Sequence, residues 1–456
     1  MNYQREPQVA TKQMRRIMHI GLDDTDSTIK GCTTYIAALL IEKLENLNVA
    51  FIDYPNLIRL NPNVPWKTRG NGALCLRFEF ENALESEIKK ATIDLVEEHA
   101  HLDSKGTDPG IVFFEGEVPK ELQVFAKKTE TNIVTLIEAT RLIRSLGAEA
   151  LGYNTCRGII GALAAIGEKL DSDHTYELIA YRKPENYGSK RRVDKESIFE
   201  MDRTTQPYTF NNVDFEKRRV IITPRGSDPI LLGIRGESPE MVRRAFKIVK
   251  PLEPVERWVI FRTNQGTDAH LNQAKTLTEL KPHQSFVAQG AVSKNPHIVP
   301  FRHVIFGVKD AEVEVDCAAY EPTGNLRKIA KDLMKGDEIE IYGAVRHPQD
   351  DKPLTVNLEK LRVLSLARKL TYHNPVCESC GKSSESMGKG QGFRCKKCGT
   401  KLTITEKTKK IQERQLKLGL YFTSTRSQRH LTKPLRRYGL EKTQREIGIL
   451  IREWHS

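Results

Sequence analysis

The 456-residue sequence predicts a multidomain chain in which α/β and α+β units precede a small β-barrel and a metal-bound ribbon. Three observations lead there. The chain is too long for one hydrophobic core, which stops growing near ~250–300 residues. Apolar strand and helix patterns alternate up to about residue 255, whereas 256–366 carry short β-rich runs around a single helix. Four of the eight cysteines cluster as Cys377-x2-Cys380-x14-Cys395-x2-Cys398, with Gly381 and Gly399 placed for knuckle turns.

The N-terminal piece, Met1 to Arg16, is basic, lacks the apolar core of a signal segment and reads as a disordered extension. Ile17 to Leu22 is an apolar run of strand length, and Thr34 to Leu47 covers one broad helical face with apolar residues. Between them lie Asp23, Asp24 and Asp26, together with Thr33 and Thr34. A loop at a strand's carboxyl end is where open α/β sheets bind ligands, and the next helix offers its N-terminal N–H groups to an anion. Mg²⁺ takes one or two carboxylates with waters and phosphate oxygens; Thr33 and Thr34 suit a helix cap or a phosphate contact. Three readings are open on these residues: a solvated turn, a phosphatase pattern with Asp24 as covalent phosphoryl acceptor, and an ATP site without a Walker loop. The phosphatase pattern needs a later acidic pair and a lysine, and no convincing pair follows. No G-x-x-x-x-G-K-[ST] occurs in the chain, so the third reading holds phosphate some other way.

Further strands are expected at Ala73–Phe80, Gly110–Phe114, Tyr176–Arg182, Arg219–Thr223 and Ile230–Arg235, and helices over 83–98, 135–146, 158–167 and 239–248. The succession of strand 219, helix 239 and strand 257 suggests a ferredoxin-like sandwich beside the N-terminal unit, with working bounds of 17–130 and 131–255. Asn61 to Ala73 is a proline-set, glycine-rich turn, with Lys67, Arg69, Gly70 and Asn71 suited to phosphate or base contacts. The Gly158–Gly167 helix carries glycine and alanine for close packing, which leaves Arg157 as its functional candidate.

From 256 to 368, strands at Arg257–Arg262, Ser285–Val292, His303–Gly307 and Glu312–Asp316, a helix from Asn325 to Met334, and strands at Glu338–Gly343 and Leu354–Leu358 read as an OB-fold barrel. Such barrels bind single-stranded nucleic acid. Residues 369–456 comprise the ribbon and a basic tail. Four thiolates leave zinc no open position, so the metal is expected to be structural. Residues 401–456 hold fourteen Lys and Arg against five Asp and Glu. Within them Arg426, Arg429, His430, Lys433, Arg436 and Arg437 alternate with aromatics and hydroxyls, a pattern suited to RNA phosphates and bases. The net charge of +13 fits a polyanionic partner. No run approaches the ~20 apolar residues of a membrane span, and the scattered remaining cysteines fit a reducing compartment. A cytoplasmic protein is expected.

The order GLDDTDST, GCTTY, NPNVPWKTRGNGA, Gly106-Thr-Asp-Pro-Gly110, RGIIGALAAIG, GIRGE, an OB barrel, a four-cysteine ribbon and RHLTKPL resembles the archaeal tRNA(Ile) 2-agmatinylcytidine synthetases over about residues 17–440. The resemblance implies an enzyme that uses ATP to join agmatine to carbon-2 of the wobble cytidine in the CAU anticodon of an isoleucine tRNA. It implies an atypical kinase-like N-terminal domain in which Asp23, Asp24 and Asp26 act with Mg²⁺ on ATP. Thr33 aligns with the threonine that is autophosphorylated in the family, and Thr34, Lys67, Arg69, Gly70, Asn71 and Arg157 are expected at phosphates or the flipped cytidine. Asp202, Asp228 and Glu237 are candidates for dicationic agmatine. The alternatives are a non-catalytic RNA- or single-strand-binding protein and another ATP-dependent nucleotide-modifying enzyme.

Overall fold

A computed structural model of the chain describes residues 15–27, 31–67, 70–346, 354–402, 404, 406–443 and 449–456. Its first unit runs β1 (Arg15–Asp23), α1 (Thr33–Asn46), β2 (Ala50–Phe51), β3 (Asn56–Arg59), β4 (Gly72–Glu81), α2 (Glu85–His99), β5 (Gly110–Glu115), α3 (Lys120–Thr131), α4 (Leu136–Leu146), β6 (Glu149–Gly152) and α5 (Gly158–Gly167). The second runs β7 (Thr175–Arg182), α6 (Lys195–Thr205), β8 (Thr209–Phe210), β9 (Val213–Asp214), β10 (Arg219–Val220), β11 (Ile230–Gly236), α7 (Pro239–Ile248) and β12 (Val255–Thr263). Arg15 and Arg16 already belong to β1, where Arg16 pairs with Glu85 and Glu115 at 2.6 Å each. Residues 1–14 of the expected extension lie outside the described residues.

The two units share one ten-stranded sheet, ordered β6-β5-β1-β4-β3-β12-β7-β11-β8, with β2 also on β4. Their seam is the parallel pair β3–β12, at Asn56 with Arg262 and Leu57 with Thr263. The strand that sequence reading assigned to the barrel, Arg257–Arg262, therefore lies here. The reason is visible in its residues: Trp258-Val-Ile-Phe261 is buried throughout, as befits a strand inside a large sheet covered on both faces. The expected strand at 219–223 shrinks to β10, paired only with β9.

Helix α5 lies almost backbone to backbone on the sheet. A Cβ on Gly21 would sit 2.1 Å from the Ala162 carbonyl oxygen, and one on Gly110 would sit 2.1 Å from the Gly158 carbonyl carbon. Buried Arg77 fixes the other end, donating to the Ile166 and Glu168 carbonyls at 3.0 and 2.8 Å, a cation placed at the negative end of the helix dipole.

The third unit comprises β13 (Leu271–Gln273), β14 (Ser285–Val299), β15 (His303–Lys309), β16 (Glu314–Ala319), α8 (Asn325–Asp332), β17 (Glu338–Arg346) and β18 (Thr355–Ser365). Strands β14-β15-β16-β18-β17 follow one another and β17 returns to β14, with β16 and β18 parallel, which is the closed OB topology. The ribbon follows. Gly381 and Gly399 take φ of 67° and 73°, and their N–H groups donate to the Cys377 and Cys395 carbonyls at 2.8 and 3.1 Å.

The residues after the ribbon do not form a loose tail. Gly419–Phe422 extends the barrel by pairing with β18. The chain then crosses to the large sheet, where the Gly266 and Asp268 N–H groups donate to the His430 and Leu431 carbonyls, both at 2.8 Å. The Ile260 N–H donates to the Trp454 carbonyl at 2.8 Å and the Trp258 N–H to the Ser456 carbonyl at 3.1 Å, while the Trp454 ring packs into the first core. Among the described residues no helix is long and apolar enough to cross a membrane.

Candidate active site

Segments distant in sequence converge on a cavity of about 430 Å³, among them the acidic loop after β1, residues before β4, and strands β7 and β11. Asp23, Asp24, Asp26, Thr33, Thr34, Lys67, Gly70, Asn71, Arg157, Asp228, Arg426 and His430, all expected at function, line it. Arg69 lies outside the described residues.

The acidic loop is built for crowding. Asp23 ends β1, and its carboxylate accepts the Asp24 N–H at 2.8 Å. The space it occupies exists because residue 161 is glycine: a Cβ there would lie 1.9 Å from the Asp23 Oδ2. Asp24 turns the chain with φ 57°, a conformation that aspartate tolerates better than most residues. Burial, followed by the Asp26 and Asp108 carboxylates, pushes Asp24 up to about 7, against a smaller opposing pull from Arg157. Burial and the neighbouring aspartates raise Asp23 well above the carboxylate range as well. Carboxylates held this close at unfavourable cost are what a divalent cation relieves.

Thr33 is the first residue of α1 and Cys32 is its cap, without a side-chain capping bond; the expected capping role of Thr33 is not made. Its Oγ1 instead accepts from the Thr25 hydroxyl at 3.0 Å. Thr34 meets the Cys32 thiol at 3.1 Å. Arg157 donates to the Asp108 carboxylate at 2.6 Å while stacking over Trp66, 5.3 Å from the ring centroid. Asn71, with φ 44°, anchors its turn by donating to the Asn61 carbonyl at 2.7 Å. Lys67 donates to the Pro62 carbonyl, and burial with the nearby Arg429 lowers its affinity for the proton.

Opposite the acidic loop sits a cationic wall that sequence reading only partly located. Arg59, at the end of β3, lies 3.9 Å from Glu177, and Arg235 pairs with the same carboxylate at 3.1 Å. His430 touches Arg235 at 2.9 Å and Gln265 at 3.0 Å. The adjacent Arg59, then burial and the Arg235 and Lys67 charges, hold it well below the usual histidine range, so its ring is neutral. Arg59 and Glu177 had a readable signal: each is a charged residue in an otherwise apolar strand run.

Other expected residues lie elsewhere. Asp202 is fully buried and accepts from Arg436 at 2.8 and 2.9 Å and from Asn212 at 3.0 Å. Glu237 accepts from buried Arg437 at 2.6 and 3.1 Å. Neither lines the cavity; both neutralise cations from the 426–437 segment. Lys433 pairs with Glu441 at 3.1 Å, and Arg429 with Glu359 at 3.1 Å. Of the agmatine candidates only Asp228 reaches the cavity, paired with Arg191 at 3.0 Å.

In the ribbon the Cys377, Cys380, Cys395 and Cys398 sulfurs lie within 4.8 Å of one another, with Cys377 to Cys398 at 3.6 Å and Cys380 to Cys395 at 3.3 Å. A tetrahedral ion with Zn–S near 2.3 Å sets sulfurs roughly 3.8 Å apart, so the four thiolates fit zinc.

Residues 19–155 match the TiaS TCKD domain, 156–270 the TiaS FLD domain and 374–416 the TiaS C-terminal zinc ribbon domain. The isoleucine-tRNA 2-agmatinylcytidine synthetase TiaS of Methanosarcina mazei is 43% identical over 92% of this chain and 97% of its own, and that of Archaeoglobus fulgidus 42% over 92% and 98%. The chain belongs to the TiaS family of isoleucine-tRNA 2-agmatinylcytidine synthetases. Solved structures of family members superpose along nearly their whole length. A complex of TiaS with its isoleucine tRNA and ATP does so at TM-score 0.84 and 41% identity, and one with the tRNA, AMPCPP and agmatine at TM-score 0.82 and 38% identity. Each covers 92% of this chain and 97% of the other. The family's first two domain models meet at residues 155 and 156, so they assign α5 to the second domain although it packs on β1, β4 and β5 of the first.

Proposed function

We propose that this chain joins agmatine to carbon-2 of the wobble cytidine in the CAU anticodon of an isoleucine tRNA, with ATP activating the base oxygen. The observation that carries the reading is the cavity lined together by Asp23, Asp24 and Asp26, by Lys67, Gly70 and Asn71, and by Arg59 and Arg235. A ring carbonyl oxygen leaves poorly as such; once phosphorylated, it departs as phosphate when the primary amine of agmatine adds to carbon-2. Asp23, Asp24 and Asp26 would hold Mg²⁺, which supplies charge neutralisation to the ATP phosphates. The raised proton affinities of Asp23 and Asp24 leave that pair partly protonated when the cavity is empty and ionised in the presence of the cation.

The remaining roles follow from position. Thr33 and Thr34 stand at the N-terminus of α1, where phosphate oxygens are favoured. Arg59 and Arg235 are held by Glu177 and aim charge at the same space. Asn71 and Gly70 shape the entrance for an unstacked base, which must leave its helix to be reached. Asp228 is the carboxylate placed to meet one cationic end of agmatine. Zinc, bound by the four cysteines, supports the ribbon and takes no part in the reaction.

Incubating the purified chain with labelled agmatine, ATP, Mg²⁺ and a transcript of that tRNA is expected to give labelled RNA. Asp24→Ala is expected to reduce the rate by at least about 100-fold, about 2.7 kcal/mol of barrier. Absence of label in the wild-type reaction would overturn the reading.

A further inference from the structure

On the far side of the loop that walls the catalytic cavity lies a second cleft, of about 670 Å³, between residues 188–198 and 218–227. Pro224 lines both spaces. Six cations line the second cleft and no aspartate or glutamate does. Arg191 is structural: it donates to the carbonyls of Pro224, Gly226 and Asp228 at 2.9, 2.8 and 2.9 Å and to the Asp228 carboxylate at 3.0 Å. The other five, Lys190, Lys195, Arg218, Arg219 and Arg225, are exposed. Among the described residues none of these five makes an ion pair, although Arg218 stacks 5.9 Å from the Phe199 ring. Unpaired cations around a concavity form a site for a polyanion, since like charges are gathered there without internal compensation.

We propose that this cleft binds the sugar-phosphate backbone of the RNA strand whose target base enters the catalytic cavity. The inference rests on the function proposed above and adds where the flanking nucleotides go. A base drawn into the cavity leaves its neighbours outside, and residues of the 221–230 loop line both spaces. Arg191 ties that loop to the 188–198 wall of the cleft through Pro224, Gly226 and Asp228, and Asp228 itself lines the catalytic cavity, so a backbone seated in the cleft is held in fixed register with the reaction site. The cleft reads charge and spacing, not base identity.

The test compares full-length wild type with Lys190→Ala/Arg225→Ala and with Arg218→Ala/Arg219→Ala. Binding of the CAU isoleucine tRNA transcript is measured from about 50 to about 300 mM salt. Each double variant is expected to flatten the log K against log[salt] slope by about 1–2, with roughly tenfold weaker binding at physiological salt. ATP binding by the RNA-free chain and the melting temperature stay at wild-type values. An unchanged salt slope overturns the proposal, as does inorganic phosphate at a few millimolar binding wild type but not the variants without weakening the hold of wild type on the RNA, which would mark a site for small anions. A slope flattened in the variants, together with a wild-type chain that binds the RNA but transfers no agmatine, would keep the cleft and reject the function.

Discussion

Two basic regions of this chain behave in opposite ways. The segment 426–437 carries the basic pattern that reads from the sequence as an RNA contact, yet its cations are largely neutralised inside the protein: Arg436 by Asp202, Arg437 by Glu237 and Asp173, Arg429 by Glu359. The cleft around 190 and 225 draws on the triplets Lys190-Arg191-Arg192 and Lys217-Arg218-Arg219, and apart from Arg191 the cations lining it are exposed and make no ion pair among the described residues. The difference lies in the acids that the fold brings up to each. A basic stretch marks a nucleic-acid surface only where tertiary structure withholds its counter-charges; where it supplies them, the same residues become struts between domains.

The sharpest way to break that contrast is Arg437→Ala. The guanidinium is fully buried and donates to both Glu237 and Asp173, at 2.6 to 3.1 Å. Its loss leaves two carboxylates with an absent partner, at an expected cost of about 3–5 kcal/mol, read as a lower denaturation midpoint at low and high salt alike. A loss that vanishes in high salt would mean that the pair is effectively solvent-screened and the contrast false.

Arg191→Ala tests the contrast inside the cleft itself. That side chain holds several carbonyls and Asp228, so about 2–4 kcal/mol of stability should go with it, together with agmatine transfer, because the 221–230 wall is released. A stable variant that still transfers agmatine would show that the wall is held by other contacts.

In the acidic loop the crowding is of carboxylates rather than cations. Asp24, normally near 3.8, is held at about 7, so the folded chain binds an additional proton between those values. Stability therefore falls as pH rises through that window. Asp24→Asn should stabilise the nucleotide-free chain at about pH 8, by on the order of 1–3 kcal/mol read as a higher melting temperature, and leave it unchanged below about pH 4. If the cation sits on Asp24 as proposed, saturating Mg²⁺–ATP should reverse the order, because the variant lacks that carboxylate. Equal thermal profiles at about pH 8 would place Asp24 in water.

How much of this was legible beforehand depended on range. Local patterns were readable: β1 and α1 came within two residues, the glycine-faced α5 packs as its small residues demand, and the cysteine spacing located the ribbon. Pairings between distant segments were not. Nothing local distinguishes Trp258-Val-Ile-Phe261 in a barrel from the same run in a large sheet, because both are buried strands. Nor does local sequence reveal that Asp202 faces Arg436, 234 positions away. The acidic loop was legible because its chemistry is contiguous, whereas Arg59 and Glu177 join it only when β3, β12 and β7 lie side by side.

Lys190→Ala and Arg225→Ala, made singly, carry the smallest expected effect on stability, within about 0.5 kcal/mol of wild type. Both side chains are exposed, and neither makes an ion pair among the described residues. The smallness is itself informative. If removing an unpaired exposed cation slightly stabilises the chain, the cluster was strained by its own repulsion, as expected of a surface kept basic for a ligand rather than for the fold. If either substitution costs more than about 1 kcal/mol, the cation has a structural partner, and the distinction between a strut and a docking surface would no longer separate these two regions.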